Sequence, residues 1–255
     1  MKHLTPLAKT GLAAIFWLAV WQVLSVAVDS ALLLPGPWPV AQRLAQLVAS
    51  ASFWRVTSVS FARILLGAVS AVALGTVLAA LCCRFALVDS LFAPLLTAIR
   101  STPVASFIIL LLIWVGRDVL PVVIVVLMVL PVVWGNVCAG IRSTDALLLR
   151  TAKVFAFSRA RTLRRVYLPS VMPHFLSACR TSLGLAWKSG IAAEVLTVPV
   201  LSIGKMLYES KLYLETVDLF AWTAVVVACS LVIEKVLMAA INRLGRAYGA
   251  GGEEA

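Results

Sequence analysis

The sequence predicts an all-α polytopic membrane protein with about six transmembrane helices and both termini in the cytoplasm. Three observations carry that class. Of 255 residues, 62% are hydrophobic and only 13% are charged, whereas soluble domains run at about 25% charged. Long uncharged stretches recur, each bounded by Lys or Arg. The remaining positive charge gathers in short segments between those stretches, as it does in cytoplasmic loops. The net charge of +11 is therefore read as serving topology and contact with anionic membrane lipid, not nucleic acid. Five cysteines are scattered without metal-ligand spacing and read as reduced small hydrophobes.

Residues 1–54 read as an N-terminal transmembrane helix followed by an exterior amphipathic segment. Lys2 and Lys9 precede an uncharged run from Gly11 to Val28, long enough to span. The rival reading is a signal peptide, with Ser25-Val26-Ala27 as its cleavage site. Leu34-Pro35-Gly36-Pro37-Trp38-Pro39 makes an exterior turn. Val40 to about Ser52 then has the spacing of a surface helix, with Leu44, Leu47 and Val48 on its apolar face.

Residues 55–241 form the main transmembrane domain. The second span, Ile64 to Cys83, lies between Arg63 and Arg84. Gly67, Ala71, Gly75 and Ala79 recur every four residues, a ridge on which another helix can approach closely. The third span, Leu87 to Val115, is interrupted by Arg100-Ser101-Thr102-Pro103, because proline removes a donor and pushes Thr102 out of helical geometry. Irregular backbone at membrane depth lines protein or a watery cavity. Arg100 is thus either an interfacial anchor or, with Ser101 and Thr102, part of a solute path. The fourth span runs from Val119 to Ile141, with Pro131 inside it.

The chain then enters a basic loop, about residues 142–168. From Arg142 to Pro173 there are seven basic residues against one acid, Asp145. Asp145 can N-cap a first short helix, and Ser158 can cap a second running to Leu168, where Pro169 disturbs it. Val154, Phe155 and Phe157 are apolar side chains with no bilayer to enter. They want either a protein groove or the membrane surface.

The fifth span, about Pro173 to Thr197, carries a second small-residue ridge: Ala178, Ser182, Ala186 and Gly190. Arg180, Gly184 and Lys188 share the next stripe, and Trp187, Ile191 and Glu194 another. Charge within a span points to an aqueous path or to a charged neighbour. Trp187, Lys188 and Glu194 are accordingly candidates for the path, alongside a purely structural reading. Leu201 to Glu215 reads as an exterior loop with a short helix, and Phe220 to Leu237 as the sixth span. Residues 242–255 form a cytoplasmic tail, held inside by Arg243 and Arg246, with a disordered end at 249–254.

No catalytic constellation is visible, so an enzyme is not expected. His3 and His174 lack acid or thiol partners at useful spacing. Gly204-Lys205 is followed by Met206 and preceded by Pro199 where a phosphate-binding loop needs glycine. ATP would have to act through another subunit. No metal site and no cofactor is expected.

The stretch RTAKVFAFSRARTLRRVYLPSVMPHF resembles the cytoplasmic EAA loop of permease subunits of binding-protein-dependent type I ABC importers, whose pattern is roughly E-A-A-x-x-x-G, a gap, then I-x-L-P. Ala152 matches the second small position, and Val166-Tyr167-Leu168-Pro169 matches the end. Arg150 stands at the glutamate position and Ala156 at the glycine position. Leu185-Ala186-Trp187-Lys188-Ser189-Gly190-Ile191-Ala192-Ala193-Glu194-Val195-Leu196, Leu34-Pro35 with Val40, and Arg100-Ser101-Thr102-Pro103 resemble the nitrate, sulfonate and taurine branch. The resemblance covers about residues 34–241.

It implies a type I importer permease fold in a prokaryotic inner or plasma membrane. Two ATPase subunits would clasp the basic loops, through Ala152, Val154, Phe155, Ala156, Phe157, Ser158 and Arg159. A second permease copy and an extracytoplasmic solute-binding protein would complete the machine, and the solute would be a small anion such as nitrate, taurine or a sulfonate. The alternative from the residues alone is a stand-alone channel or ion-coupled secondary carrier using Arg100, Lys188 and Glu194.

Overall fold

The computed structural model describes residues 6–247. Lys2, His3 and the tail end expected at 249–254 lie outside the described residues. No strand occurs among those described, and the elements are helices throughout.

The first helix, α1 (Pro6–Val28), covers the expected first span. It leans on the rest only near its end: Trp21 stacks on Phe220 at 5.8 Å and donates to the Pro35 carbonyl (3.0 Å). Next comes α2 (Pro37–Ala49), which begins before Val40 because a proline at the first helical turn loses no hydrogen bond. It stops at Ser50, whose hydroxyl accepts from the Phe53 amide (3.3 Å) and caps α3 (Ala51–Arg84). That helix begins well before Ile64, the expected start of the second span. Its 34 residues reach about 50 Å, so its polar first third, with Arg55, Ser60 and Arg63, projects past the apolar stretch.

The third expected span is not straight. It consists of α4 (Ala86–Ser101) and α5 (Val104–Leu111), bent by 105° at the break. Thr102 is extended, as the residue before a proline prefers, and Pro103 begins the new direction. The fourth span is α6 (Leu120–Arg142), which runs on through Pro131.

In the basic loop lie α7 (Ala146–Val154) and a short α8 (Arg159–Thr162). The expected stop at Pro169 does not occur. Pro169 has no N–H for an ordinary helical bond, and the ladder shifts just before it into a π turn over Leu163–Tyr167. The Leu168 amide bonds the Leu163 carbonyl, and the chain continues as α9 (Leu168–Thr197) with Pro169 in its first turn and Pro173 inside. The fifth expected span is therefore longer at its start. Last come α10 (Ile203–Leu212), the short helix expected between spans, and α11 (Thr216–Ala247).

Among the described residues, four helices are long and apolar enough to cross a membrane, and five if the bent pair counts as one span. The fifth expected span, α9, is not among these: it has the length but carries Arg180, Lys188 and Glu194. What places it in the bundle is packing. It lies against α6, which in turn lies against α3, and these three form the heart of the fold. Both small-residue ridges meet that centre. A methyl group added at Gly67 would come within 2.8 Å of Val125, and one at Gly190 within 2.6 Å of Ile64. Ala71, Ala79, Ala178 and Ala186 are buried along the same contacts. Close backbone approach of this kind replaces the hydrophobic drive that lipid does not supply. Leu44 and Leu47 of α2 also pack on this core, while Val48 stays exposed.

Candidate functional site

The basic loop is built from two capped helices and one strained turn. Asp145 accepts from the Leu147 amide (2.7 Å) and starts α7; Ser158 accepts from the Arg161 amide (3.3 Å) and starts α8. Between them α7 ends with the Phe157 amide bonding the Ala152 carbonyl (2.8 Å) and the Ala156 amide bonding Lys153 (3.0 Å). This paired closure puts the residue between the two bonds in the left-handed region, where glycine is preferred. Ala156 occupies it at φ 48°, the strain expected of alanine standing in for glycine.

That turn sorts the loop's side chains. Ala152 faces inward at 3% exposure, while Val154 (81%) and Phe155 (68%) point away from the bundle. Leu147, Leu148 and Leu163 are exposed beside them. Phe157 is half-buried, with the Arg161 guanidinium 5.4 Å from its ring centre, a cation–π contact. Ser158, Arg159 and Arg150 are exposed. The result is an apolar knuckle in a basic rim. It is anchored by the Arg142–Asp89 pair (2.9 Å), which ties the end of α6 to the start of α4.

A second polar assembly sits at the opposite end of the bundle. The Glu194 carboxylate has no exposed surface. One oxygen accepts from Arg63 (2.7 Å); the other accepts from the Ser60 hydroxyl (2.8 Å) and the Gly204 amide (3.2 Å). Ser60 in turn accepts from the Ile203 amide (2.8 Å). Arg63 also donates to the Val200 carbonyl (3.3 Å), and the Val200 amide donates to Asp118 (2.9 Å). Gly204 is needed here, since any side chain would strike Glu194 itself. One carboxylate thus joins α3, α9 and α10, and Arg63 extends the contact to the Val200 loop.

Arg100 lies at the end of α4, beside the break. Its guanidinium donates to the Pro131 carbonyl, halfway along α6, and sits 5.9 Å from the Trp134 ring centre. The Ser101 and Thr102 hydroxyls bond back to the Ala98 carbonyl (3.0 and 2.8 Å). Trp187 is buried and donates to the Val226 carbonyl of α11 (3.1 Å). Lys188, next to it in sequence, is exposed in a groove between α9 and α11. Trp187, Lys188 and Glu194 therefore do not share one surface: the first and last turn into the protein and Lys188 turns out.

Sequence reasoning missed Ser60 and Arg63 as partners of Glu194, and Asp118 as the acceptor for the Val200 amide. The signal was present. The buried ridge of α3, followed backwards from Ala71 and Gly67, passes through Ile64 to Ser60 at the same helical spacing. Also missed was Arg43 of α2, which makes a two-pronged pair with Asp218 of α11 (2.6 and 2.7 Å). Accepting that hydrogen bond, Asp218 raises the Arg43 pKa above its usual value.

Three comparisons bear on what these sites serve. The sequence profile of the binding-protein-dependent transport system inner membrane components matches residues 71–248. The taurine transport system permease protein TauC of Escherichia coli is 26% identical over 98% of this chain and 94% of its own length. The putative aliphatic sulfonates transport permease protein SsuC of Bacillus subtilis is 28% identical over 80% of this chain and 74% of its own. Among solved structures, the MetNI methionine ABC transporter, in inward-facing conformations, superposes with a TM-score of 0.55 at 16% identity. That match covers 76% of this chain and 93% of the MetNI chain, and it speaks to the fold.

Proposed function

Since this chain belongs to the family of binding-protein-dependent transport system inner membrane components, a multi-pass permease subunit and not an enzyme, we propose how its surfaces divide the work of an ATP-driven importer. The family implies an ATPase and a substrate-binding protein as partners. We assign the ATPase to the knuckle of Ala152, Val154, Phe155, Ala156, Phe157, Ser158 and Arg159, which faces the cytoplasm. The substrate-binding protein would meet the opposite end, near α10. Two ATPase subunits and a second permease copy would complete the assembly. The solute is a small anion of the taurine and sulfonate class, in keeping with the names of the relatives TauC and SsuC.

The observation that carries the coupling role is the exposure of Val154 and Phe155 on a capped helix that cannot bury them in its own chain. Large exposed apolar groups ringed by polar ones mark a partner site. Ala152 is buried against the bundle, so a push on the knuckle passes into the helices. Along the path itself we place Arg100, Ser101, Thr102 and Lys188, with Trp187 as wall. Glu194 holds the far end together so that it moves as one block.

The experiment is co-purification and uptake with Phe155→Asp. Placing a carboxylate in the knuckle should release the ATPase and abolish ATP-driven uptake, while the membrane-inserted chain remains intact. ATP-driven uptake and ATPase retention both at wild-type level would sink the coupling role. A chain that moves solute on an ion gradient with no ATPase bound would be a secondary carrier instead.

A further inference from the structure

The groove between α9 and α11 has a volume of about 510 Å³, within the range of small-molecule sites. Leu183, Trp187 and Ile233 wall it. Its floor is open at Gly184, where an added methyl group would meet no atom within 4 Å. Trp187 bonds Val226 across the helix pair, and the groove then brings Arg180 and Gly184 opposite Ser230 and Glu234. Earlier residues of α9 thus meet later residues of α11, so the two helices are antiparallel. Glu234, about two turns past Val226, lies level with Arg180. Lys188, level with Val226, makes no ion pair or hydrogen bond among the described residues.

Lys188 stands nine residues before the end of α9 at Thr197, about 14 Å along the axis. An ammonium at that depth is costly unless water or an anion attends it. Leu183, Trp187 and Ile233 are the apolar walls nearby, while Glu234 lines the groove at the Arg180 end and makes no ion pair with Lys188 among the described residues. We propose that this groove is a solute subsite for a small organic anion, whose acidic head meets the Lys188 ammonium and whose apolar tail lies along Gly184 against Leu183 and Ile233. The proposal rests on the permease reading above and names the solute contact within it. Inorganic anions match the head but leave the apolar walls uncovered, so they should bind more weakly.

The test is calorimetric titration of the detergent-purified, ATPase-bearing complex with ethanesulfonate and, separately, with inorganic sulfate. The wild type should bind ethanesulfonate more tightly than sulfate. Lys188→Gln should weaken ethanesulfonate binding about tenfold or more, and Lys188→Arg should largely restore it. Gly184→Leu, which fills the floor without touching charge, should weaken ethanesulfonate more than sulfate. Equal affinity in wild type and Lys188→Gln, absence of binding in the wild type, or preference for sulfate would each overturn the proposal. ATPase content of the purified wild type is scored separately, and its absence counts against the importer reading rather than against the subsite.

Discussion

The Arg63 guanidinium lies 2.7 Å from the fully buried Glu194 carboxylate, and this pair joins α3 to α9 where the chain must also turn into α10. Val198 and Leu201, in that turn, sit in the left-handed region at φ 49° and 51°. Such conformations persist only where surroundings over-determine them, and here the Val200 peptide is gripped from both sides, by Arg63 and by Asp118. Removing one partner of a buried pair costs about 3–5 kcal/mol, because the other charge is left without compensation. Glu194→Ala should therefore lower the thermal midpoint of the detergent-solubilised protein sharply. Glu194→Gln keeps acceptors for Ser60 and Gly204 and should cost less. The double variant Arg63→Met with Glu194→Gln should be milder than Arg63→Met alone. Simple additivity of the two substitutions would show that the pair is not coupled.

A second prediction concerns the closing turn of α7. Ala156 holds φ 48° so that the Phe157 amide can reach the Ala152 carbonyl. A left-handed alanine costs about 1–2 kcal/mol relative to a residue free of Cβ strain. Ala156→Gly should then stabilise the turn, and hydrogen exchange at the Phe157 amide should slow by about fivefold or more. Ala156→Val should speed it. Unchanged exchange in Ala156→Gly would mean that the turn is held by its surroundings and not by local backbone preference.

The helical class, the two ridges and both caps of the basic loop were legible because each is written in local spacing. Gly67 and Gly75, or Asp145 and Ser158, need no distant partner to be recognised. Pro169 misled for the opposite reason. Proline usually ends a helix, yet a π turn over Leu163–Tyr167 takes up the missing donor and leaves α9 continuous. The direction of a side chain was harder still. Lys188 and Glu194 are both charges in one span, and only the packing shows that Glu194 faces Ser60 and Arg63 while Lys188 faces an open groove. The 105° turn between α4 and α5 was foreshadowed by Thr102-Pro103, but its size depends on what α5 packs against, which is α6 and α9.

The third prediction isolates the clamp on the first amphipathic helix. Arg43 grips Asp218 with two nitrogens, at 2.6 and 2.7 Å, and both groups are partly open to water. Two-pronged guanidinium–carboxylate pairs are stronger and more directional than single contacts, but solvent screening keeps a partly exposed pair near 1 kcal/mol or below. Arg43→Ala should thus leave the bundle folded while loosening α2 from the start of α11. Cross-linking between cysteines placed at Gln46 and Val217 would report that loosening as a lower yield. Arg43→Lys should rescue poorly, since an ammonium cannot engage both carboxylate oxygens in the same plane, whereas exchanging the two residues, Arg43→Asp with Asp218→Arg, should recover much of the yield. Full rescue by lysine would show that charge alone, without the forked geometry, holds α2 in place.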